Sequence, residues 1–282
     1  MNANPDVTVV VNAHREGLIA AATFKSLRRA RLYAEARGYR VETIVCLDKC
    51  DALTREMVHG CAGSDARIFE VEFGDIGLSR NFSVQKAQGH YVSFLDADDL
   101  YGENWLALAI RAARQDSRAI VWHSEVNLYF GTEPHIFCHV DMEDADFDPC
   151  CLISGNPWTA LCFAERRVFE RFPYPKTNLS LGIGYEDWGW NRQVISAGFL
   201  HKTVGGTGHA IRRKAVSLVQ QTKAAGVFPA GTDLFRRMLE ERGKARQVRQ
   251  AIEPAGSFSS AAPAVRPVHD GAGKQAELVA SC

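Results

Sequence analysis

Three carboxylates fall within four positions of the stretch SFLDADDLYGEN, residues 93–104, namely Asp96, Asp98 and Asp99. They follow directly on the apolar run HYVSFL. A buried carboxylate without a partner is costly, so the cluster must be solvated, paired with basic side chains or bound to a cation. Oxygen ligands at this spacing suit a hard cation such as Mn²⁺ or Mg²⁺. The alternative is a solvated loop in which Asp98 or Asp99 caps the helix that begins near Glu103.

The residues around the cluster exclude two known metal motifs. An EF-hand loop counted from Asp96 needs Gly at its sixth position and Glu at its twelfth, where this chain has Tyr101 and Ala107. A phosphatase of the haloacid dehalogenase type needs its Asp-x-Asp motif near the start of the chain and a Thr in place of Leu100. The chain has eight cysteines, but no pair has the two-residue spacing of a zinc knuckle, which disfavours a zinc site.

The composition is that of a globular domain that does not bind nucleic acid. Over 282 residues the formal net charge is zero, whereas a nucleic-acid-binding protein carries a basic excess or stripe. No apolar run reaches the roughly 18 residues that span a bilayer. The N-terminal residues MNANPDVTVVV lack the basic start and the long apolar core of a signal peptide. We therefore expect a cytoplasmic protein, with the inner face of the membrane as an alternative location.

Strands alternate with helices over the first 130 residues. Short β-branched or apolar runs predict strands, and apolar residues at helical spacing predict helices. The predicted strands are 7–13, 41–47, 66–73, 90–95 and 119–130, and the predicted helices are 16–37, 78–89 and 104–115. This alternation indicates βαβ units and a mainly parallel sheet, in which ligands bind outside the carboxyl ends of the strands. Asn12 to Glu16, Asp48 to Asp51 and the acidic cluster all follow predicted strands.

The second half of the sequence is less regular. Its predicted elements are strands at 159–164 and 201–204, a helix at 186–198 and a charged amphipathic helix at 232–252. We expect three regions: a main domain over 1–225, a C-terminal amphipathic helix within 226–253, and a disordered tail over 254–282 that is rich in Ala, Ser, Pro and Gly. The C-terminal helix could contact a membrane surface or form a homodimer, but its mixed charges favour a solvated helix.

Five segments that carry these features occur in a recognisable order, between roughly residues 6 and 220: VTVVVNAHREG, VETIVCLDKCDALT, GDIGLSRNFSVQKAQGHYVSFLDADD, GYEDWGWNRQVISAGF and GHAIRRKAVSL. Together they resemble the family 2 glycosyltransferases. The Asp-x-Asp motif alone is a weak sign, whereas five segments in the right order are a strong one. The resemblance implies the GT-A fold, an α/β fold with a mainly parallel central sheet flanked by helices.

The resemblance also implies a reaction, the inverting transfer of a sugar from a nucleotide diphosphate to an acceptor hydroxyl. Cleavage of the sugar–phosphate bond leaves charge on the diphosphate, which a metal ion can stabilise. By resemblance Asp98 ligates Mn²⁺ or Mg²⁺, and His209 is either a further metal ligand or a structural histidine. Asp187 in GYEDWGW matches the general base that takes the acceptor proton. Its alternative role is that of a carboxylate favoured by the dipole at a helix N-terminus.

Further positions match the donor and acceptor sites of the family. The residues expected to bind the donor, a UDP-sugar, are His14, Glu16, Asp48, Arg80, Asp96, Arg212 and Arg213. The residues expected to contact the acceptor, a saccharide or lipid-linked saccharide, are Glu186, Trp188 and Trp158. Alternatively, Arg80 is a surface helix charge and the tryptophans belong to the core. The stretch VGGTGH before the arginines is expected to be a mobile loop that closes over the donor.

The sequence leaves two other functions open. A metal-dependent nucleotidyl or phosphoryl transferase would need a glycine motif that cradles phosphate, such as a P-loop, and the sequence has none. A nucleotide-sugar-binding scaffold without turnover would be expected to lose Asp98 or Asp187, and both are present. The preferred hypothesis is a glycosyltransferase of the hexosyltransferase type that acts in surface polysaccharide assembly.

Overall fold

The computed structural model describes residues 4–215 and 217–252. Its strands are β1 (Val7–Ala13), β2 (Val41–Asp48), β3 (Arg67–Val71), β4 (Tyr91–Asp96), β5 (Leu100–Tyr101), β6 (Ile120–Gly131), β7 (His135–Cys138), β8 (Cys162–Glu165) and β9 (Leu200–Arg213). Its α-helices are α1 (Ala20–Glu35), α2 (Ala52–Cys61), α3 (Ile76–Lys86), α4 (Trp105–Gln115), α5 (Arg166–Arg171), α6 (Glu186–Ser196), α7 (Leu218–Ala224) and α8 (Leu234–Ile252). The chain divides into two units, Met1–Met238 and Leu239–Cys282. The tail that the sequence predicts to be disordered, 254–282, lies outside the described residues.

The strands form one mixed sheet in the order β3-β2-β1-β4-β8-β6-β9-β5, with β7 paired to β6. The half formed by β3, β2, β1 and β4 is parallel, as predicted, whereas β5, β7 and β8 pair antiparallel with their neighbours. β1 lies between β2 and β4, with Asn12 in register with Cys46 and Asp96. The carboxyl ends of these three strands therefore meet at one edge of the sheet.

Helices cover both faces of the parallel half, which explains its continuous apolar runs. Every residue of β1 is buried. Val11 belongs to the core cluster that holds Phe24 of α1 and Trp105 of α4, whereas Val10 belongs to a second cluster with residues of α3 and α6. Because neighbouring residues of a strand point to opposite faces, Asn12 faces the same side as Val10.

Aspartate caps explain two helix starts that apolar spacing did not locate. The sequence analysis predicts no helix at α2, which begins where the Asp51 carboxylate accepts a hydrogen bond from the Thr54 N–H at 2.8 Å. α3 begins two residues before its predicted start, because the Asp75 carboxylate accepts a hydrogen bond from the Leu78 N–H at 2.9 Å. Such caps satisfy N–H groups of the first helical turn, which have no partner within the helix.

The predicted closing loop is part of a strand, so that expectation is wrong. β9 runs through VGGTGH and pairs in parallel with β6 on both sides of residues 205–207, which bulge opposite Glu125. The Glu125 carboxylate accepts a hydrogen bond from the Gly206 N–H at 2.7 Å. The Asn104 amide donates to the Gly206 carbonyl at 2.8 Å. These contacts hold the glycine-containing stretch on the sheet.

The last helix of the described chain, α8, begins at Leu234, two residues after its predicted start. Leu234 is buried in a cluster with Leu152, Trp158 and Trp188. Leu234 thus packs within the first unit, which runs to Met238, and the domain boundary at residue 225 stays a prediction. None of the helices described is long and apolar enough to cross a bilayer.

Candidate active site

Polar side chains line one face of the sheet at the carboxyl ends of β1, β2 and β4. These side chains are Asn12, Asp48 and Asp96. The residues directly before them all pack into the core on the side of α1 and α4: Val11, Leu47 and Leu95. Since the direction of side chains alternates along a strand, the three polar residues face the side of α3. They therefore form one polar edge, as the topology predicts.

Asp48 anchors the loop that precedes α3. Its carboxylate accepts hydrogen bonds from the N–H groups of Gly74 at 2.8 Å and Asp75 at 3.1 Å. It also accepts one from the Ser79 hydroxyl at 2.8 Å. These bonds fix the first turn of α3 and so position Arg80, the next residue of that helix. The expected contact of Asp48 with a nucleoside stays a prediction.

Arg80 is the centre of a buried ion-pair network and not a surface charge. Its side chain is 1% exposed, and its guanidinium donates to Glu186 Oε1 at 2.9 Å and to the two Asp96 oxygens at 3.3 and 3.4 Å. The rings of Phe94 and Tyr174 lie 5.6 and 5.3 Å from its guanidinium carbon. Burial disfavours the charge, but Asp96 and Glu186 outweigh it and raise the pKa of Arg80 above its ordinary value. Arg80 therefore connects the acidic cluster after β4 to the start of α6.

The loop after β1 adds a carboxylate beside Asp98. His14 is exposed, and its ring Nδ1 lies 2.6 Å from the Asp48 carbonyl oxygen. Its main-chain N–H donates to Glu16 Oε2 at 2.6 Å. Burial raises the pKa of Glu16, and the charge of Asp98 adds to this, while the His14 N–H and Lys214 oppose it. Glu16 thus belongs to the same group of charges as Asp98 and Lys214, and the donor-binding roles of His14 and Glu16 stay predictions.

Asp98 pairs with a lysine to which the sequence analysis assigned no role. Lys214 Nζ lies 2.8 Å from Asp98 Oδ2, and Arg212 Nη1 lies 3.9 Å from the same oxygen. The Asp98 side chain is 9% exposed and that of Lys214 is 38% exposed. Burial opposes the charge of Lys214, but the bond to Asp98 outweighs it and raises the pKa of the lysine. Asp98 therefore faces cationic side chains at and just after the end of β9.

Asp99 holds the end of β9 through the backbone. Its side chain is buried, and Oδ1 accepts a hydrogen bond from the Arg212 N–H at 2.8 Å. Burial and the two neighbouring aspartates raise the pKa of Asp99 well above its ordinary value, against the effect of the Arg212 N–H.

The guanidinium carbon of Arg213 lies 4.2 Å from the centre of the Tyr129 ring. Since neighbouring strand residues point to opposite faces, Arg213 does not join Arg212 at Asp98, and its expected grip on a diphosphate is not supported.

His209 is a core residue, which contradicts its expected role as a metal ligand. Its side chain is buried, with ring centres 4.9 Å from Tyr101 and 4.8 Å from Trp105. Both of these aromatic residues belong to the core cluster on the side of α1 and α4. Burial lowers the pKa of His209 to about 3, so the imidazole is neutral at physiological pH. The predicted ligand therefore points into the protein interior.

The side chains at the acidic cluster do not fit a metal centre in this arrangement. The carboxylates of Asp96 and Asp98 are oxygen donors of the kind that Mn²⁺ and Mg²⁺ prefer. Their charges are already opposed by Arg80 and Lys214, and a cation at Asp98 Oδ2 would have to displace the lysine ammonium. Over residues 4–215 and 217–252, no group of three or more His, Cys, Asp or Glu side chains could hold a metal ion.

The start of α6 carries two buried carboxylates next to a strained residue. Tyr185 has φ of 52° and ψ of 61°, the left-handed conformation that non-glycine residues rarely adopt. Burial and the charge of Asp187 raise the pKa of Glu186 to about 7, with Arg80 opposing. Burial also raises the pKa of Asp187, against Arg80 and the N–H of Trp188. A raised pKa makes Asp187 a stronger base than an ordinary aspartate.

Asn156 orients Asp187. Its Nδ2 donates to Asp187 Oδ2 at 3.1 Å, while its own Oδ1 accepts a hydrogen bond from Asn191 Nδ2 at 2.9 Å. The second oxygen of Asp187 accepts a hydrogen bond from the Trp188 N–H at 2.8 Å. No sequence pattern identifies Asn156, because its partner lies 31 positions further along the chain.

Trp158 and Trp188 are core residues, which contradicts their expected contact with an acceptor. Their exposed fractions are 1% and 9%. Their indole N–H groups donate to the carbonyls of Val140 at 2.7 Å and Leu152 at 3.1 Å. Glu186, expected in the same role, is also buried and engaged in its ion pair. Residues that solvent does not reach offer no surface to a saccharide.

Asn12 presents an unsatisfied amide at the same edge. It is 7% exposed, and among the described residues neither Oδ1 nor Nδ2 has a hydrogen-bond partner. A buried amide without a partner costs about 1–3 kcal/mol, which a bound ligand or water would recover. The sequence places Asn12 only at a strand end. Its register with Asp96 is the signal that could have identified it as a site residue.

Residues 8–131, which contain β2 to β6, all of β1 except Val7, and the acidic cluster, match the family model described as Glycosyl transferase family 2. No curated protein matches the chain in sequence. The matched segment thus includes the parallel half of the sheet and its polar edge.

The fold is similar to solved glycosyltransferase structures. One is S. aureus TarS 1–349 in complex with UDP-GlcNAc, with 13% sequence identity, a TM-score of 0.52, and coverage of 82% of this chain and 64% of that one. Another is GalNAc-T7 with UDP, GalNAc and Mn²⁺, with 16% identity, a TM-score of 0.55, and coverage of 79% and 48%. The chain thus spans less than two thirds of either structure. At these identities the likeness shows the fold alone, which is the expected GT-A fold.

Proposed function

We propose that this chain, which has the GT-A fold and matches the family 2 glycosyltransferase model over residues 8–131, moves a sugar from a nucleotide-diphosphate donor to an acceptor hydroxyl with inversion. The observation that carries this proposal is the buried Arg80 bridge. It links Asp96 at the end of β4 to Glu186, the residue beside Asp187. The charge of Asp96 also contributes to the raised pKa of Asp187. The bridge thus couples the donor-side carboxylates to a candidate base.

Asp187 is the proposed general base. The acceptor hydroxyl loses its proton to the Asp187 carboxylate while the hydroxyl oxygen attacks the anomeric carbon from the face opposite the diphosphate. The bond from the anomeric carbon to the phosphate oxygen breaks, and its electron pair leaves with the nucleoside diphosphate. Attack on the opposite face inverts the configuration. Asn156 keeps Asp187 in one orientation through the bond to Oδ2.

The proposed donor site is the polar edge of the sheet. The side chains available to the donor there and at the end of β9 are Asn12, His14, Glu16, Asp48, Asp96, Asp98 and Arg212. A UDP-sugar is the proposed donor, because TarS is solved with UDP-GlcNAc and with UDP. The unsatisfied amide of Asn12 supports a ligand at this edge.

A divalent cation is predicted from the sequence, and the solved GalNAc-T7 structure contains Mn²⁺. In this chain Lys214 forms an ion pair with Asp98, and His209 lies in the core. We therefore assign no step of the transfer to a metal ion.

We also propose a saccharide or lipid-linked saccharide as the acceptor, in surface polysaccharide assembly. We propose that residues 1–225 carry out the transfer in the cytoplasm or at the inner face of the membrane, and that the C-terminal helix contacts the membrane or a second copy. These proposals rest on the resemblance of motifs and on the composition of the chain.

The test is release of nucleoside diphosphate from UDP-, GDP-, dTDP- and CDP-sugars, with and without saccharide acceptors. The wild type is expected to turn over one donor class. Asp187→Asn should lower the turnover rate by about 100-fold or more while retaining nucleotide binding, because a positioned general base contributes a factor of this order. Asp146→Asn, the same change at an exposed carboxylate, should keep full activity. Full activity in Asp187→Asn, or no turnover by the wild type with any donor, would contradict the proposal.

A further inference from the structure

The contact between Lys214 and Asp98 places a cation at the carboxylate where the sequence predicts a metal ion. We propose that the Lys214 ammonium, together with Arg212, neutralises the diphosphate of the donor at Asp98, so that transfer proceeds without a divalent cation. This inference rests on the proposed function, because it names the group that stabilises the leaving diphosphate.

Lys214 is held in place and does not lie free on the surface. Asp99 binds the main-chain N–H of Arg212, and the adjoining residues Leu100 and Ala210 are paired between β5 and β9. Side chains two residues apart on an extended chain point to the same face, so Arg212 and Lys214 both reach Asp98. The end of β9 is thus fastened to the end of β4, with its cations directed at the acidic cluster.

Lys214 and Arg212 have N–H donors that remain available to a phosphate group. An ammonium has three N–H donors, and one engages Asp98, so the others can reach phosphate oxygens. The Arg212 side chain is 33% exposed, and its Nη1 lies 3.9 Å from Asp98 Oδ2, close enough to share the same phosphate. The carboxylates of Glu16 and Asp98 balance these two cations, so the donors are held in place without an excess of positive charge.

Departure of the diphosphate is the step that the positive charges of Lys214 and Arg212 would assist. As the acceptor oxygen bonds to the anomeric carbon, the bond to the phosphate oxygen breaks and the nucleoside diphosphate gains one negative charge. The acceptor proton goes to Asp187, so atoms and charge balance without a further reactant. Preorganised cations at the phosphate oxygens lower the barrier in the same way as a bound metal ion.

A divalent cation would compete with Lys214 for the same oxygen. At Asp98 Oδ2 it would have to displace an ammonium that is already bonded there. It would also lack His209, whose ring packs against Tyr101 and Trp105. Added Mn²⁺ is therefore expected to leave nucleotide affinity unchanged or to lower it.

The experiment measures binding of UDP, GDP, dTDP and CDP by calorimetry, with a chelator and with Mn²⁺. The wild type is expected to bind one of them with the same affinity, within about threefold, in both conditions. Lys214→Met should weaken this binding by about 10- to 100-fold, because it removes a charge-assisted hydrogen bond, while affinity for the parent nucleoside stays unchanged. Lys214→Arg should restore most of the affinity, since it keeps the charge.

Lys202→Met is the matched control, because Lys202 lies at the other end of β9 and pairs with Glu143. It should bind the nucleotide like the wild type. Wild-type binding that Mn²⁺ strengthens more than tenfold, or Lys214→Met binding with wild-type affinity, would overturn the inference. A wild type that binds none of the four nucleotides in either condition would overturn the proposed function, and this inference with it.

Discussion

At the scale of single residues, the site depends on a balance of buried and half-buried charges. Arg80 is opposed by Asp96 and Glu186, and Asp98 is opposed by Lys214. Burying such groups is costly, and the pairs contribute little net stability. Removal of one partner, however, leaves the other charge uncompensated. The network therefore fixes which residues can be changed without loss of the fold.

Arg80→Met is expected to lower the free energy of unfolding by about 3–5 kcal/mol, because Asp96 and Glu186 lose their buried partner. Urea unfolding at pH 7 measures this. Arg111→Met, at an exposed position of α4, is the matched control and should stay within about 0.5 kcal/mol of the wild type. A loss below 1 kcal/mol in Arg80→Met would mean that water, and not Arg80, compensates the two carboxylates.

At the scale of elements, β6 and β9 form the longest pair of the sheet and bury a group of histidines. His123 Nε2 lies 2.9 Å from His201 Nδ1, and the Trp158 ring centre lies 4.3 Å from that of His201. Burial lowers the pKa of His123 well below its ordinary value, that of His139 to about 4 and that of His201 to about 3. These side chains are therefore neutral in the folded protein at pH 7.

Neutral burial of His201 makes the stability of the β6–β9 pair depend on pH. Its pKa is about 3 in the folded protein and about 6.5 when unfolded, so its contribution is fully present above pH 6.5 and is lost as the pH falls toward 3. The contribution of Glu186 to stability depends on pH in the opposite direction. Because its pKa is raised to about 7, it favours folding less as the pH rises from about 4.5 to 7. The two effects oppose each other in the whole protein, so a variant is needed to separate them.

His201→Asn should therefore be destabilised relative to the wild type at pH 7.5, with a gap that narrows as the pH falls. Between pH 6.5 and 5 the difference in free energy of unfolding between wild type and variant should shrink by about 2 kcal/mol. In this range unfolding of the wild type takes up one proton at His201, whereas the variant has no such group. Denaturant unfolding at several pH values measures it. His59→Asn, at an exposed position of α2, should show a gap that does not change with pH. A constant gap for His201→Asn would contradict the neutral burial of His201.

At the scale of the whole molecule, the parallel half of the sheet and the acidic edge could be predicted from the sequence. Each strand there is a continuous apolar run ended by a polar residue, so β1, β2 and β4 and their carboxyl ends are local features. The course of β9 could not be predicted, because its glycines are typical of a loop. Their place on the sheet depends on β6 and on Glu125, 81 positions away from Gly206.

The contents of the site were predictable to a lesser degree. Asp96, Asp98 and Asp187 stand out by their motifs, but the partner of each is a distant residue. Lys214 is 116 positions from Asp98, and Asn156 is 31 positions from Asp187. The burial of the tryptophans and of His209 likewise depends on tertiary packing that no local pattern records.

The most direct test of the account is thermal unfolding of the purified protein with UDP, GDP, dTDP and CDP, each with a chelator and with Mn²⁺. A ligand at about 100 times its Kd stabilises the folded state by about 2.7 kcal/mol, which corresponds to a rise in Tm of roughly 5–10 °C for a domain of this size. We predict this rise with one nucleoside diphosphate, UDP first, and no comparable rise with the parent nucleoside. No rise with any of the four, in either condition, would contradict a nucleotide-sugar site at the strand ends.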